Sequence, residues 1–274
     1  MPLTPLAARY DHVLLDLDGC IWVGDEVTPR APEAVDALRA AGKGVAFVTN
    51  DARHGTDDFV RKLWRLGLRA SVEDVVTVGG ALQFVLNERH QGDSAYVIGA
   101  DAVLEHVADA GLRVVNGTTF DSRADVVVVA GHERMVYDEL RIATQALLRG
   151  AVFYGASRDR TYPQADGPWP GTGPILAALE YATEREPEVI GKPGPQLFLT
   201  AMDRLGADAD AKTLVVGDLL SGDVAGAHAA GLDGALVLSG ATSQAEADAA
   251  EDSHKPVAVA ATLAELILTP PTRS

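Results

Sequence analysis

The side chains that could do chemistry fall in four separated stretches. Asp16 and Asp18 close the run "VLLDLDGC", Thr49 and Asn50 close "VAFVTN", Lys192 stands in "GKPGP", and Asp218 and Asp223 stand in "GDLLSGD". Alternation along a strand puts Asp16 and Asp18 on the same side. Two carboxylates about 4 Å apart repel by roughly 4 kcal/mol at an effective dielectric near 20. Several acids on one rim therefore call for a cation, and Mg²⁺ suits them, taking oxygen ligands from one or two carboxylates and a substrate phosphate. Nothing resembles the twelve-residue Ca²⁺ loop, and the His/Cys cluster of a zinc site is missing. A lysine, a threonine hydroxyl and backbone N–H groups beyond strand ends can hold a phosphoryl group. One bare carboxylate could then attack it, and the second, if protonated, could give its proton to the leaving oxygen.

Such convergence needs elements that deliver these residues to one edge. "VLLDL", "GVAFVTN", "TLVVGD" and "GALVLSG" read as strands, with helices between them over "APEAVDALRAAG", "TDDFVRKLWRLG", "PGPQLFLTAMDRLG" and "DVAGAHAAG". Thr56 reads as a helix N-cap, and Gly42 and Gly67 as helix stops. Strands that are apolar throughout, joined by crossover helices, predict a parallel sheet covered on both faces. Open sheets of this kind bind ligands beyond the carboxyl ends of their strands, where all four stretches end. A second α/β set follows: strands "SAYVIGA", "LRVV", "ADVVVVAG" and "AVFYG", helices "DAVLEHVADAG" and "YDELRIATQALLRG". The stretch "ASRDRTYPQADGPWPGTG" reads as a long loop. The expected organisation is a discontinuous core, residues 1–78 and 188–274, with a smaller α/β domain, residues 79–187, inserted in it.

The chain has 274 residues and a formal net charge of −16. That charge argues against a nucleic-acid or membrane-surface binder, because phosphate backbones repel it. Cys20 is the only cysteine, so no internal disulfide can form. No run of 18 apolar residues occurs and no apolar leader is evident, which predicts a cytoplasmic protein without membrane spans.

In order and spacing, "DLDG" (Asp16–Gly19), "VTN" (Val48–Asn50), "GKP" (Gly191–Pro193) and "GDLLSGD" (Gly217–Asp223) resemble the four motifs of the haloacid dehalogenase-like (HAD) superfamily. The likeness extends to the branch of NagD and p-nitrophenyl phosphatases, whose large α/β cap lies between the second and third motifs. The resemblance implies a Rossmann-like parallel-sheet core with an inserted α/β cap, and a Mg²⁺-dependent phosphatase of a small phosphorylated metabolite. It makes Asp16 the nucleophile and a Mg²⁺ ligand. Asp18 becomes the general acid/base, its carbonyl a further ligand. Asp218 and Asp223 complete and support the metal site. Thr49, Asn50, Gly19 and Lys192 would bind or border the phosphoryl group, with Lys192 also steadying Asp16. The resemblance further implies a homodimer through the cap.

The sequence departs from the branch pattern at Asp51 and Ala52 in the second motif, Leu219 and Gly222 in the fourth, and Ser157 in the cap stretch. Asp51 adds negative charge near the rim. In the cap stretch, Arg158, Arg160, Tyr162 and Trp169 read equally as solvated residues or substrate contacts, and Arg158 or Arg160 could hold an anionic leaving group bidentately. Cys20, His54 and His228 read as structural or surface residues. A phosphotransferase or phosphomutase on the same core, or a catalytically weak binding or regulatory protein, are the alternatives that the residues leave open.

Overall fold

A computed structural model describes residues 2–132, 134–164 and 167–270. They divide into two compact units, the first built from residues 1–49, 56–76 and 193–274, the second from residues 50–55 and 77–192.

The first unit carries a six-stranded sheet in the order Val259–Ala260, Asp233–Val237, Thr213–Gly217, His12–Asp16, Gly44–Thr49, Val75–Thr77. The pairs from Val259–Ala260 to Gly44–Thr49 are all parallel. Its central strands are buried along almost their whole length, without alternation. Their unbroken Val/Leu/Phe runs have this cause: helices cover both faces of a parallel sheet. The helices Ala31–Ala40 and Thr56–Arg65 bury Val35, Leu38, Phe59 and Leu63 in a core shared with Leu15, Phe47 and Val216. Thr56, expected as a cap, is the first helical residue.

Register decides what the sheet delivers. Asp16 lies opposite Val48, and Leu15 opposite Val216. Thr49 therefore stands one residue beyond the level of Asp16, and Asp218 follows Gly217, which stands level with it. The chain also winds outward in both directions from the junction of His12–Asp16 and Thr213–Gly217. That junction is the switch point of the sheet, the place where α/β folds open a crevice at the carboxyl ends of their strands.

The second unit holds a five-stranded parallel sheet in the order Glu188–Val189, Val152–Gly155, Val126–Gly131, Ser94–Gly99, Arg113–Val114. Helices Tyr137–Leu148 and Thr172–Thr183 pack Ile142, Ala146, Leu176 and Leu179 against Val127, Val129 and Phe153.

The expected long loop is corrected. Thr161–Gln164 and Gly167–Pro170 pair antiparallel as a two-stranded ribbon, with Tyr162 opposite Trp169 and Pro163 opposite Pro168. Proline argues against a central strand because it donates nothing to a ladder, but a ribbon of two edge strands tolerates it. The helix expected over "DVAGAHAAG" is also divided, a π-turn over Leu220–Val224 preceding a short α-helix, Ala225–Ala229.

Candidate active site

Asp16 is the last residue of its strand and is buried, at 6% exposure. The chain then turns tightly: Leu17 O accepts from the backbone N–H groups of Ile21 and Trp22, and Gly19 N–H returns to Trp22 O at 2.7 Å. Gly19 takes φ +81°, a left-handed value that a side chain would strain. The same turn places the Trp22 indole Nε1–H on Asp18 Oδ1 at 2.8 Å. One carboxylate of the pair is thus buried and the other, exposed, is held by an indole.

Asp218 follows the strand Thr213–Gly217 and is 9% exposed. Its Oδ2 accepts from Ala241 N–H at 2.5 Å, and its carbonyl accepts from Thr242 N–H at 3.2 Å. Asp223 sits in the π-turn at 1% exposure, its Oδ2 accepting Leu219 N–H at 3.0 Å. A π-turn widens the backbone by one residue and is common at functional sites. Here it brings the second acid of "GDLLSGD" under the first.

Asp16, Asp218 and Asp223 each offer a carboxylate oxygen, and these oxygens lie within 4.8 Å of one another. Burial of like charges so close is unfavourable unless positive charge meets them. The all-oxygen donor set fits a hard divalent cation such as Mg²⁺. Glycines make room for the carboxylates. A Cβ at Gly19 or Gly240 would collide with Asp218, and one at Gly217 with Asp223. Ser239 Oγ also donates to Gly19 O at 2.6 Å, tying the loop after Asp233–Val237 to the turn that follows Asp16.

Of the residues singled out from sequence, the first unit brings together Asp16, Gly19, Asp218 and Asp223, with Asp18 on the same turn and Thr49 buried at the neighbouring strand end. The carboxylate group is Asp16, Asp218 and Asp223, without that of Asp18. Asn50 and Lys192 lie in the second unit and are joined there. Asn50 Nδ2–H donates to Lys192 O at 3.0 Å, and Lys192 N–H donates to Asn50 Oδ1 at 2.8 Å. Lys192 is buried, at 6% exposure. Arg158 donates to Glu180 at 2.6 Å, and Arg160 is exposed; both lie in the second unit.

Sequence reasoning missed Trp22, Ser239, Gly240 and Arg53. Only Trp22 had a local signal, four residues after Asp18. The charge of Asp51, expected to burden the rim, is instead met by Arg53, which donates from Nε and Nη2 to its two oxygens at 2.9 Å each.

Comparison with known proteins places the chain in a family. A family model described as haloacid dehalogenase-like hydrolase matches residues 13–113, and one described as HAD-hydrolase-like matches residues 189–266. D-glycerol 3-phosphate phosphatase of Mycobacterium tuberculosis is 36% identical over 252 residues, covering 92% of this chain and 69% of that protein. Acid sugar phosphatase of Staphylococcus aureus is 31% identical over 232 residues, 85% of this chain and 88% of that one. Among solved structures, the M. tuberculosis glycerol phosphate phosphatase in complex with magnesium superposes with a TM-score of 0.88 at 34% identity, covering 97% of this chain and 79% of that one. p-Nitrophenyl phosphatase from Archaeoglobus fulgidus (31%, covering 93% and 97%) and NagD from E. coli (25%, covering 94% and 98%) each give 0.84. The chain belongs to the haloacid dehalogenase-like hydrolases, on the phosphatase branch that includes NagD and the p-nitrophenyl phosphatases.

Proposed function

We propose that the protein hydrolyses a small phosphate monoester, such as a glycerol, sugar or nucleotide phosphate, with Mg²⁺ and through an aspartyl-phosphate on Asp16. The observation that carries this reading is the group of three buried carboxylates, Asp16, Asp218 and Asp223, at the switch point of the sheet. A magnesium complex of a relative, and relatives that are a D-glycerol 3-phosphate phosphatase and an acid sugar phosphatase, support it.

Asp16, Asp218 and the carbonyl of Asp18 would hold the ion, with Asp223 behind them. When bound, Mg²⁺ neutralises the phosphoryl oxygens and the carboxylates together. The remaining work falls to the chain. An Asp16 carboxylate oxygen forms a bond to phosphorus as the bond to the leaving oxygen breaks, and Asp18 gives that oxygen its proton. Asp18 then takes a proton from water, whose oxygen attacks the aspartyl-phosphate, releasing phosphate and restoring Asp16. The Trp22 indole fixes the direction of Asp18 through both proton transfers. The motif resemblance assigns Thr49, Asn50, Gly19 and Lys192 to the phosphoryl group, and positive and N–H character of that kind would offset the charge of −16 that otherwise repels it. This reading puts the hydrolysis in the cytoplasm, in keeping with a chain whose single cysteine can form no internal disulfide. Asp16→Asn is expected to abolish turnover of p-nitrophenyl phosphate in Mg²⁺ with an unchanged circular dichroism spectrum. Wild-type turnover in that variant would overturn the nucleophile assignment.

A further inference from the structure

The segment Asn50–Gly55 follows Thr49 directly, yet it belongs to the second unit, and its side chains reach the proline-rich ribbon there. Asp51 organises it. Its Oδ1 accepts Arg53 Nε–H at 2.9 Å and Arg53 backbone N–H at 2.8 Å, its Oδ2 accepts Arg53 Nη2–H at 2.9 Å, and His54 Nδ1 stands 3.1 Å from Oδ2. A fork of this kind fixes the plane of the guanidinium as well as its charge. So held, Arg53 lies over the ring of Tyr162, its guanidinium carbon 4.2 Å from the centroid. Tyr162 faces Trp169 across the ribbon, with ring centroids 6.5 Å apart. At the ribbon's base Asn50 Nδ2–H donates to Asp159 Oδ2 at 3.3 Å. That base is tightly closed. Gly173 N–H donates to Asp159 O at 3.0 Å, and a Cβ at Gly171 or Gly173 would collide with the same carbonyl.

We propose that Asp51 and Arg53 are positioning residues that dock the ribbon of Thr161–Gln164 and Gly167–Pro170 onto the segment following Thr49, and so set the affinity for the substrate's leaving group. Two contacts on one short segment, Asn50 to Asp159 and Arg53 to Tyr162, join the ribbon to the chain that runs on from the phosphate-binding threonine. A substrate whose leaving group needs the ribbon in place binds less well when Arg53 is lost. Burial pushes Asp51 upward, but bonds from His54 and Arg53 outweigh it and hold its carboxyl below the usual carboxylate range. Asp51 is therefore ionised, and the fork charged on both sides, at neutral pH.

The effect on affinity rests on the phosphatase reading, but the docking does not. Docking is measured by limited trypsin digestion, following cleavage after Arg158 and Arg160 at the ribbon's entry by mass spectrometry. When reclosing is fast, cleavage follows the population of the open form. Arg53→Ala and Tyr162→Leu are expected to raise that cleavage rate about tenfold, as loss of a partly desolvated cation–π contact implies. The urea midpoint of the whole chain should move little. Arg53→Lys keeps the charge but loses the fork and should behave like Arg53→Ala, while Tyr162→Phe keeps the ring and should cleave more slowly than Tyr162→Leu. Equal cleavage of wild type, Arg53→Ala and Tyr162→Leu overturns the docking. On the functional side, Arg53→Ala and Asp51→Asn should raise KM for glycerol 3-phosphate several-fold more than they lower kcat. Faster cleavage with an unchanged KM overturns the link to substrate affinity. A wild-type protein inactive on phosphate esters would instead overturn the phosphatase reading, leaving the trypsin result to decide the docking alone.

Discussion

Gly240→Ala separates the geometry of the carboxylate group from the identity of its acids. Gly240 is exposed and lies outside the positive-φ glycines, so alanine fits its backbone. Such a replacement alone would be neutral or slightly stabilising, by up to about 1 kcal/mol. The new Cβ would nevertheless come to 2.0 Å from Asp218 Oδ2 and 2.5 Å from its Cγ. Restoring an ordinary contact of at least 3.4 Å requires a displacement of about 1.4 Å. Metal–oxygen bonds tolerate about 0.2 Å. Asp218 must therefore leave its position, and its bond from Ala241 N–H as well. Disturbing the support of a metal ligand costs about 10- to 100-fold in affinity, or roughly 1.4–2.7 kcal/mol. The expected outcome is a Mg²⁺ half-saturation for p-nitrophenyl phosphate hydrolysis raised by that factor, with a correspondingly smaller Mg²⁺-dependent rise in Tm. The Tm without metal should fall somewhat, because the buried Asp218 carboxylate loses its bond from Ala241 N–H. An unchanged half-saturation together with an unchanged Mg²⁺-dependent rise would show that Asp218 is not a ligand.

Two further outcomes follow from single hydrogen bonds. Trp22→Phe removes the donor that orients Asp18, and kcat should fall by about tenfold, part of the 10²- to 10⁴-fold that general acid–base catalysis contributes; an unchanged kcat would leave the indole without a role in proton transfer. Tyr10 donates to Asp233 at 2.7 Å, and burial followed by that bond pushes its hydroxyl up to about 12. An unfolded tyrosine ionises near 10, so above that pH the unfolded chain gains stability that the folded one does not share. Urea midpoints of wild type should decline from about pH 10 upward and those of Tyr10→Phe should decline less; equal slopes between pH 9 and 11 would refute the coupling.

The sheet and its acidic rim were legible because both are written locally. A parallel strand buried on two faces leaves an unbroken apolar run, and the residue that ends the run is the one presented at the rim. Leu15 before Asp16, Val48 before Thr49 and Gly217 before Asp218 follow this rule, and the register aligns them. The ribbon in the second unit was not legible, because its prolines are those of a loop and nothing local shows that two edge strands will face each other. The Asp51–Arg53 fork was equally hidden. Residues two apart are not neighbours on a helix, and the pair forms only because the chain turns there. Reading Asp51 as an added charge was therefore natural, and the neighbouring guanidinium is what corrects it.

A further part of the site is specified by what is missing. Gly19, Gly217 and Gly240 come from three different segments, and a methyl at any of them would occupy the space of Asp218 or Asp223. In sequence each passes for a turn or a strand end, since glycine marks both. The same holds in the π-turn, where Gly222 lies against the Leu219 side chain and Leu219 O accepts the backbone N–H groups of Gly222, Asp223 and Val224. Leu219 and Gly222 depart from the branch pattern, yet together they pack the turn that seats Asp223. An acid string can arise by chance, whereas acids matched by side-chain-free positions on distant segments cannot be explained by any one segment's own stability. The site therefore constrains the chain at more positions than its charged residues reveal, and substitutions at these glycines should disturb it without touching a single carboxylate.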